Sequence, residues 1–204
     1  YYSTIRPKRV CLTGERPVNV LRTEGIEYLE LRCVDLDPFS PVGVRRDQLD
    51  FMDTLLMYCL LKESPPIGRD EAETIKNNHE KIINNGRDVS QIINLNGDEG
   101  TTLDFSEKIL SELKEISITL GGSVFKEDRN LWAESIDLQI KKLKNIDETL
   151  SGKVLNDLLT KNMSFREFGL KLANEHSQYF KTDQRYENLF FEEAAKASLE
   201  KQDE

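Results

Sequence analysis

The chain has 204 residues, 38% of them hydrophobic and 32% charged, with a formal net charge of −9. That size and composition describe a globular, soluble chain able to bury a core, and the acidity argues against a general binder of nucleic-acid backbones. Its longest apolar run, Leu55 to Leu61, falls far short of the roughly 20 residues that a membrane-spanning helix needs. The cysteines Cys11, Cys33 and Cys59 are odd in number and widely spaced, with no CxxC or Cys/His cluster. They read as reduced, buried, structural thiols.

The first 46 residues hold four of the six prolines (Pro7, Pro17, Pro38, Pro41), together with Gly14, Gly25 and Gly43. A strand is expected from Ile26 to Val34, and a second from Tyr2 to Val10 that Pro7 confines to an edge or an irregular segment. From Asp47 onward the periodicity is helical. Asp47 is an N-cap candidate for a helix with Leu49, Met52, Leu55, Leu56, Cys59 and Leu60 on its apolar face, stopped by Ser64-Pro65-Pro66. A second helix runs from Asp70 to Asn85 and ends at Gly86. Asp104 and Glu107 open a third in capping-box style, closed by Gly121-Gly122. Trp132, Ile136, Ile140 and Leu143 mark a fourth. Ser151 is expected to cap a short fifth, and Ser164 with Glu167 forms a capping box ahead of Phe168, Leu172 and His176. Asp183 to Glu204 carries seven acids against three bases and reads as a surface tail. The division is therefore residues 1–46, rich in strands, and residues 47–204, helical.

Alternation along the first strand puts Tyr28, Glu30 and Arg32 on one face and Leu29, Leu31 and Cys33 on the other, which is expected to pack on a core. A carboxylate and a guanidinium two residues apart suit a metal ligand beside a phosphate-binding cation. The commoner meaning of such a pair is an outward cross-strand ion pair. Arg6, Lys8 and Arg9 form a basic cluster that either faces an anion or blunts a sheet edge, with the edge favoured. Asp35 and Asp37, in the stiff loop after the strand, read as turn residues. His79 and His176 read as structural histidines without partners at ligand spacing, and Met52, Met57, Phe165 and Phe168 as core. No P-loop, GxSxG, HExxH or GxGxxG motif is present.

Three blocks in order, Tyr2-Ser3-Thr4-Ile5-Arg6-Pro7-Lys8-Arg9, Gly25-Ile26-Glu27-Tyr28-Leu29-Glu30-Leu31-Arg32 and Leu36-Asp37-Pro38-Phe39-Ser40-Pro41-Val42-Gly43-Val44, resemble the proteobacterial type of glutamate–cysteine ligase. The helical remainder resembles that family's C-terminal region more loosely. The resemblance implies an α+β fold: part of a glutamine-synthetase-like curved antiparallel sheet over residues 1–46, followed by a mostly α-helical C-terminal region over 47–204. It implies ATP-dependent joining of the L-glutamate γ-carboxylate to L-cysteine through an acyl phosphate, the first step of glutathione biosynthesis. Glu30 matches the family's Mg2+ ligand (with Mn2+ as the alternative ion), Arg32 the catalytic arginine on the transferring phosphoryl group, and Tyr2 a tyrosine that contacts the cysteine substrate. ATP is then a co-substrate. The enzyme is expected to be cytoplasmic and monomeric at full length, with no nucleic acid or membrane partner.

The family's enzyme is longer, so an upstream part carrying further acidic ligands is expected to be missing. The 204-residue stretch alone is then expected to be inactive, with an exposed apolar sheet edge. Two alternatives stand beside this reading, a non-catalytic helical interaction module and a related carboxylate–amine ligase with another amine acceptor.

Overall fold

A computed structural model describes residues 4–124, 130–182 and 188–202. By its contacts the chain forms two units, Tyr1–Asp37 and Pro38–Glu204.

The first unit is a two-stranded antiparallel ribbon of β1 (Ile5–Lys8) and β2 (Tyr28–Leu31), with helix α1 (Pro17–Glu24) in the connection. Pro7 is tolerated because β1 pairs on one side only. Pro17 sits in the first turn of α1, where its missing N–H costs nothing. Gly25 ends α1 at φ +81°, a backbone conformation that a side chain would strain. The ribbon's apolar face is open. Ile5 is 46% exposed and Leu29 45%, and Cys33 is exposed, so the expected packing of this face on a core is not found among the described residues.

The second unit is helical apart from one hairpin: α2 (Arg46–Leu61), α3 (Arg69–Asn85), β3 (Ile92–Leu95), β4 (Asp98–Thr101), α4 (Thr102–Val124), α5 (Leu131–Lys144), a 3-10 turn (Ile146–Glu148), α6 (Leu150–Thr160), α7 (Phe165–Thr182) and α8 (Asn188–Glu200). Its core is built by α2, α4 and α5, where Leu110, Leu113 and Ile136 are buried against Phe51, Leu55, Tyr58, Ile140 and Leu143. The inward face of α2 differs from the expected one: Leu49, Cys59 and Leu60 are exposed, whereas Asp50 and Thr54 are buried. Apolar residues wrap this helix, and neighbours rather than hydropathy choose the buried stripe. Buried Asp50 is neutralised by Arg46 at 2.7 Å, and the Thr54 hydroxyl donates to the Asp50 carbonyl at 3.0 Å.

The β3–β4 hairpin turns on Asn96-Gly97, with φ +55° and +91°. Asn78 of α3 exchanges two hydrogen bonds with the Asn94 backbone and Lys81 donates to the Ile92 carbonyl, so side chains cover the outer edge of β3.

Helix ends depart from expectation by a few residues. Arg45, not Asp47, precedes α2, and its N–H donates to the Gln48 side chain at 2.8 Å. Thr101 and Asp104 reciprocate at the start of α4, and Thr149 rather than Ser151 caps α6, accepting from Gly152 N–H at 3.1 Å. Helix α4 runs past Gly121-Gly122 to Val124. The Ser164/Glu167 box is as expected.

Phe168 is buried and meets Phe39 edge-on at 5.9 Å, which docks the loop that follows the first unit. Phe165 is 71% exposed and is not core. All three cysteines are free, Cys11 partly buried and the other two exposed, so the buried-thiol expectation fails. The tail residues described form α8, an exposed helix. No helix among the described residues is long and apolar enough to cross a membrane.

Candidate functional site

The register of the ribbon assembles the site. Arg6 lies opposite Glu30 and Lys8 opposite Tyr28, so Arg6, Lys8, Tyr28, Glu30 and Arg32 share one face. The Arg32 N–H donates to the Thr4 carbonyl at 2.7 Å and extends the pairing to that residue. Glu30 is the hub. Its Oε2 lies 3.0 Å from Lys8 Nζ, and its Oε1 accepts from Arg32 Nε. Lys8 reaches it diagonally across the strands, a contact that long side chains make.

The Lys8 ammonium, and next the Arg32 guanidinium, hold the Glu30 carboxyl below the ordinary carboxylate range. The group is therefore an anion at neutral pH, and its side chain is 29% exposed. Glu30 and Arg32 are thus brought together as expected, and the ion-pair meaning of the motif is present too. Tyr2 lies outside the described residues.

Next to this face lies a groove of about 650 Å3, within the range of small-molecule sites, lined by Arg6, Lys8, Arg9, Cys11, Pro17 and Tyr28. Arg9 is fixed at its edge, donating from Nε to the Glu24 carboxylate at 2.9 Å and from a terminal nitrogen to the Glu24 carbonyl at 3.0 Å. The Val10 N–H, beside the groove, donates to the Glu27 carboxylate at 3.1 Å. The basic cluster lies on a strand that pairs on one side only, as its edge reading has it, and also lines this groove. Alternation puts Glu30 and Arg32 on one face, but only the register shows that Lys8 joins them and meets Glu30.

Asp37 is buried and Asp35 exposed. His79 is exposed on α3, and His176 is partly buried on α7. Among the described residues no group of three or more His, Cys, Asp or Glu could hold a metal ion. A separate cavity of about 360 Å3 in the second unit is flanked by Tyr58, Lys62, Lys108 and Glu112. Lys62 pairs there with Glu112 at 2.6 Å and keeps its carboxyl below the ordinary range.

The similarity to known proteins runs across both units. Residues 1–82, which include the whole ribbon, match the family model described as Glutamate-cysteine ligase. A glutamate–cysteine ligase of Leptospira interrogans is 41% identical over 184 residues, covering 88% of this chain and 34% of that enzyme. One from Pseudomonas fluorescens is 33% identical over 206 residues, covering 100% and 38%. The crystal structure of the Francisella tularensis glutamate–cysteine ligase in complex with AMP superposes with a TM-score of 0.78 at 28% identity, over 90% of this chain and 35% of that one. A bifunctional glutathione synthetase from Pasteurella multocida shares the fold, with a TM-score of 0.64 at 20% identity. The chain spans little more than a third of the length of the curated relatives it matches. Over that span, by sequence and by fold, the chain is a relative of the glutamate–cysteine ligases.

Proposed function

We propose that the chain serves ATP-dependent ligation of L-glutamate, through its γ-carboxylate, to L-cysteine, yielding γ-glutamylcysteine, the first step of glutathione biosynthesis. The observation that carries this reading is the match of residues 1–82 to the ligase family model over the very ribbon that pairs Glu30 with Arg32. The AMP bound by the similar Francisella enzyme supports ATP as co-substrate. In this reading residues 1–46 belong to a glutamine-synthetase-like curved sheet, residues 47–204 form the helical part, and the whole protein is a cytoplasmic monomer.

The chemistry divides into two balanced steps. A γ-carboxylate oxygen of glutamate attacks the γ-phosphorus of ATP; the bond to the bridging oxygen breaks and ADP leaves. The cysteine amine then attacks the acyl carbon, the bond to the phosphate oxygen breaks, and inorganic phosphate departs as the nitrogen gives up its proton. Such transfers need positioning and charge neutralisation more than a protein nucleophile. Arg32 supplies a planar fork of donors suited to the phosphoryl oxygens, and its bond to Glu30 limits where that fork can point. Tyr2 contacts the cysteine substrate.

Mg2+, or Mn2+ in its place, fits Glu30 as one oxygen donor. The carboxylate is held ionised by its two cationic partners, Lys8 and Arg32, and would serve as one oxygen donor to the ion. Magnesium keeps waters and phosphate oxygens and needs only one or two protein carboxylates. When bound it neutralises charge on the nucleotide phosphates.

The test is an assay for ATP- and cysteine-dependent γ-glutamylcysteine formation by the natural full-length protein that carries this sequence. Arg32→Lys and Glu30→Gln are each expected to lower kcat by about 10²-fold or more, as losing a transition-state donor does elsewhere. Near-parental turnover in both variants would remove the ribbon from the active site.

A further inference from the structure

We propose that Lys8 is an exchange cation. Its ammonium neutralises Glu30 while no divalent ion is bound there, and turns into the adjoining groove to meet the nucleotide's phosphates once one is. The inference rests on the reading of Glu30 as a metal ligand. It adds a role for a residue that the family resemblance left without one.

Three observations support it. Lys8 both touches Glu30, at 3.0 Å, and lines the 650 Å3 groove, whereas Glu30 and Arg32 line none of that groove. Its ammonium makes a single ion pair among the described residues and sits on a flexible four-carbon stem, while the neighbouring Arg9 is tied down twice to Glu24. Arg32 holds the other oxygen of Glu30, so the carboxylate stays oriented when Lys8 leaves. Charge supplies the drive: a divalent ion on Oε2 repels the ammonium, and a polyphosphate in the groove attracts it.

The experiment uses the natural full-length protein at low ionic strength, with Mn2+ alone titrated and followed by electron paramagnetic resonance, and then ATP titrated in saturating Mn2+. Removing the competing ammonium in Lys8→Met is expected to tighten Mn2+ binding about two- to fivefold, the worth of an exposed ion pair, and to weaken ATP binding. Lys8→Arg, whose guanidinium grips a carboxylate with two bonds, is expected to bind Mn2+ no more tightly than the parent. This second variant keeps the test standing if Lys8→Met folds poorly. If Glu30→Gln abolishes Mn2+ binding but Lys8→Met leaves it unchanged or weaker, the exchange is refuted while the metal-ligand reading stands. If Glu30→Gln binds Mn2+ like the parent, both are refuted.

Discussion

The Asn130 side chain occupies the space that a methyl group on Gly121 would need. Its Oδ1 accepts from the Ala133 N–H at 3.1 Å and caps α5, while its Nδ2 donates to the Ser117 carbonyl on α4 at 2.9 Å; a Cβ at position 121 would overlap the amide. One side chain thus caps a helix and ties it to its main packing partner. Asn130→Ala should cost about 1 kcal/mol as a lost cap, with about 1 kcal/mol more for the lost hydrogen bond to α4. Gly121→Ala should displace the same amide. Thermal melts of both single variants and the double variant should show the pair losing less than the sum, because they remove one interaction.

Gly152 poses a harder constraint, because its neighbours are backbone. A Cβ there would lie 2.6 Å from Asp147 Cα and 2.6 Å from the Ile146 carbonyl oxygen. Gly152→Ala should therefore destabilise by about 1–3 kcal/mol as a forced overpacking. In calorimetry the change should appear as a clear fall in Tm, while Gly169, which meets nothing within 4 Å, should tolerate alanine.

At the start of α7, Ser164 Oγ accepts from the Glu167 N–H, and the Glu167 carboxylate accepts from the Ser164 N–H at 2.7 Å. Ser164→Ala should cost about 1 kcal/mol. Amide hydrogen exchange should quicken in the first turn of α7 and stay unchanged in α4 and α5.

Acid should act on Glu30 in a defined direction. Its carboxyl is depressed in the folded chain by Lys8 first and Arg32 second, against an ordinary value near about 4.3 when unfolded. Its contribution to stability is complete above that ordinary value and is lost as pH falls through the lower folded one. Unfolding followed as pH falls from neutrality through and below the ordinary carboxylate range should show Glu30→Gln losing less stability than the parent. An equal loss would mean that the pairs with Lys8 and Arg32 do not form in solution.

Much of the second unit is written locally and was legible. Ser164 and Glu167 stand three apart ahead of an apolar stripe, and Gly86 follows Asn85 at the end of α3. The Asn96-Gly97 hairpin turn is an equally local signal that the helical periodicity around it masked. Where caps shifted, from Ser151 to Thr149 or from Asp47 to Arg45, several capping residues compete within one turn and tertiary packing selects among them. The site was half legible. Alternation alone joins Glu30 to Arg32, but the Lys8 contact spans 22 positions in sequence and exists only because of the register that sets Lys8 opposite Tyr28.

In the first unit the described residues 4–37 contain one buried apolar side chain, Val20, while side-chain ion pairs, Lys8–Glu30 between the strands and Arg9–Glu24 onto the helix, add to the backbone pairing of the ribbon. Those ion pairs are screened by dissolved electrolyte, whereas the leucine and isoleucine packing of α2, α4 and α5 is not. Concentrated sodium chloride should therefore loosen the amino-terminal ribbon first and leave the three-helix core intact. The face that bears Glu30, Arg32 and Lys8 is thus more responsive to its ionic surroundings than the three-helix core.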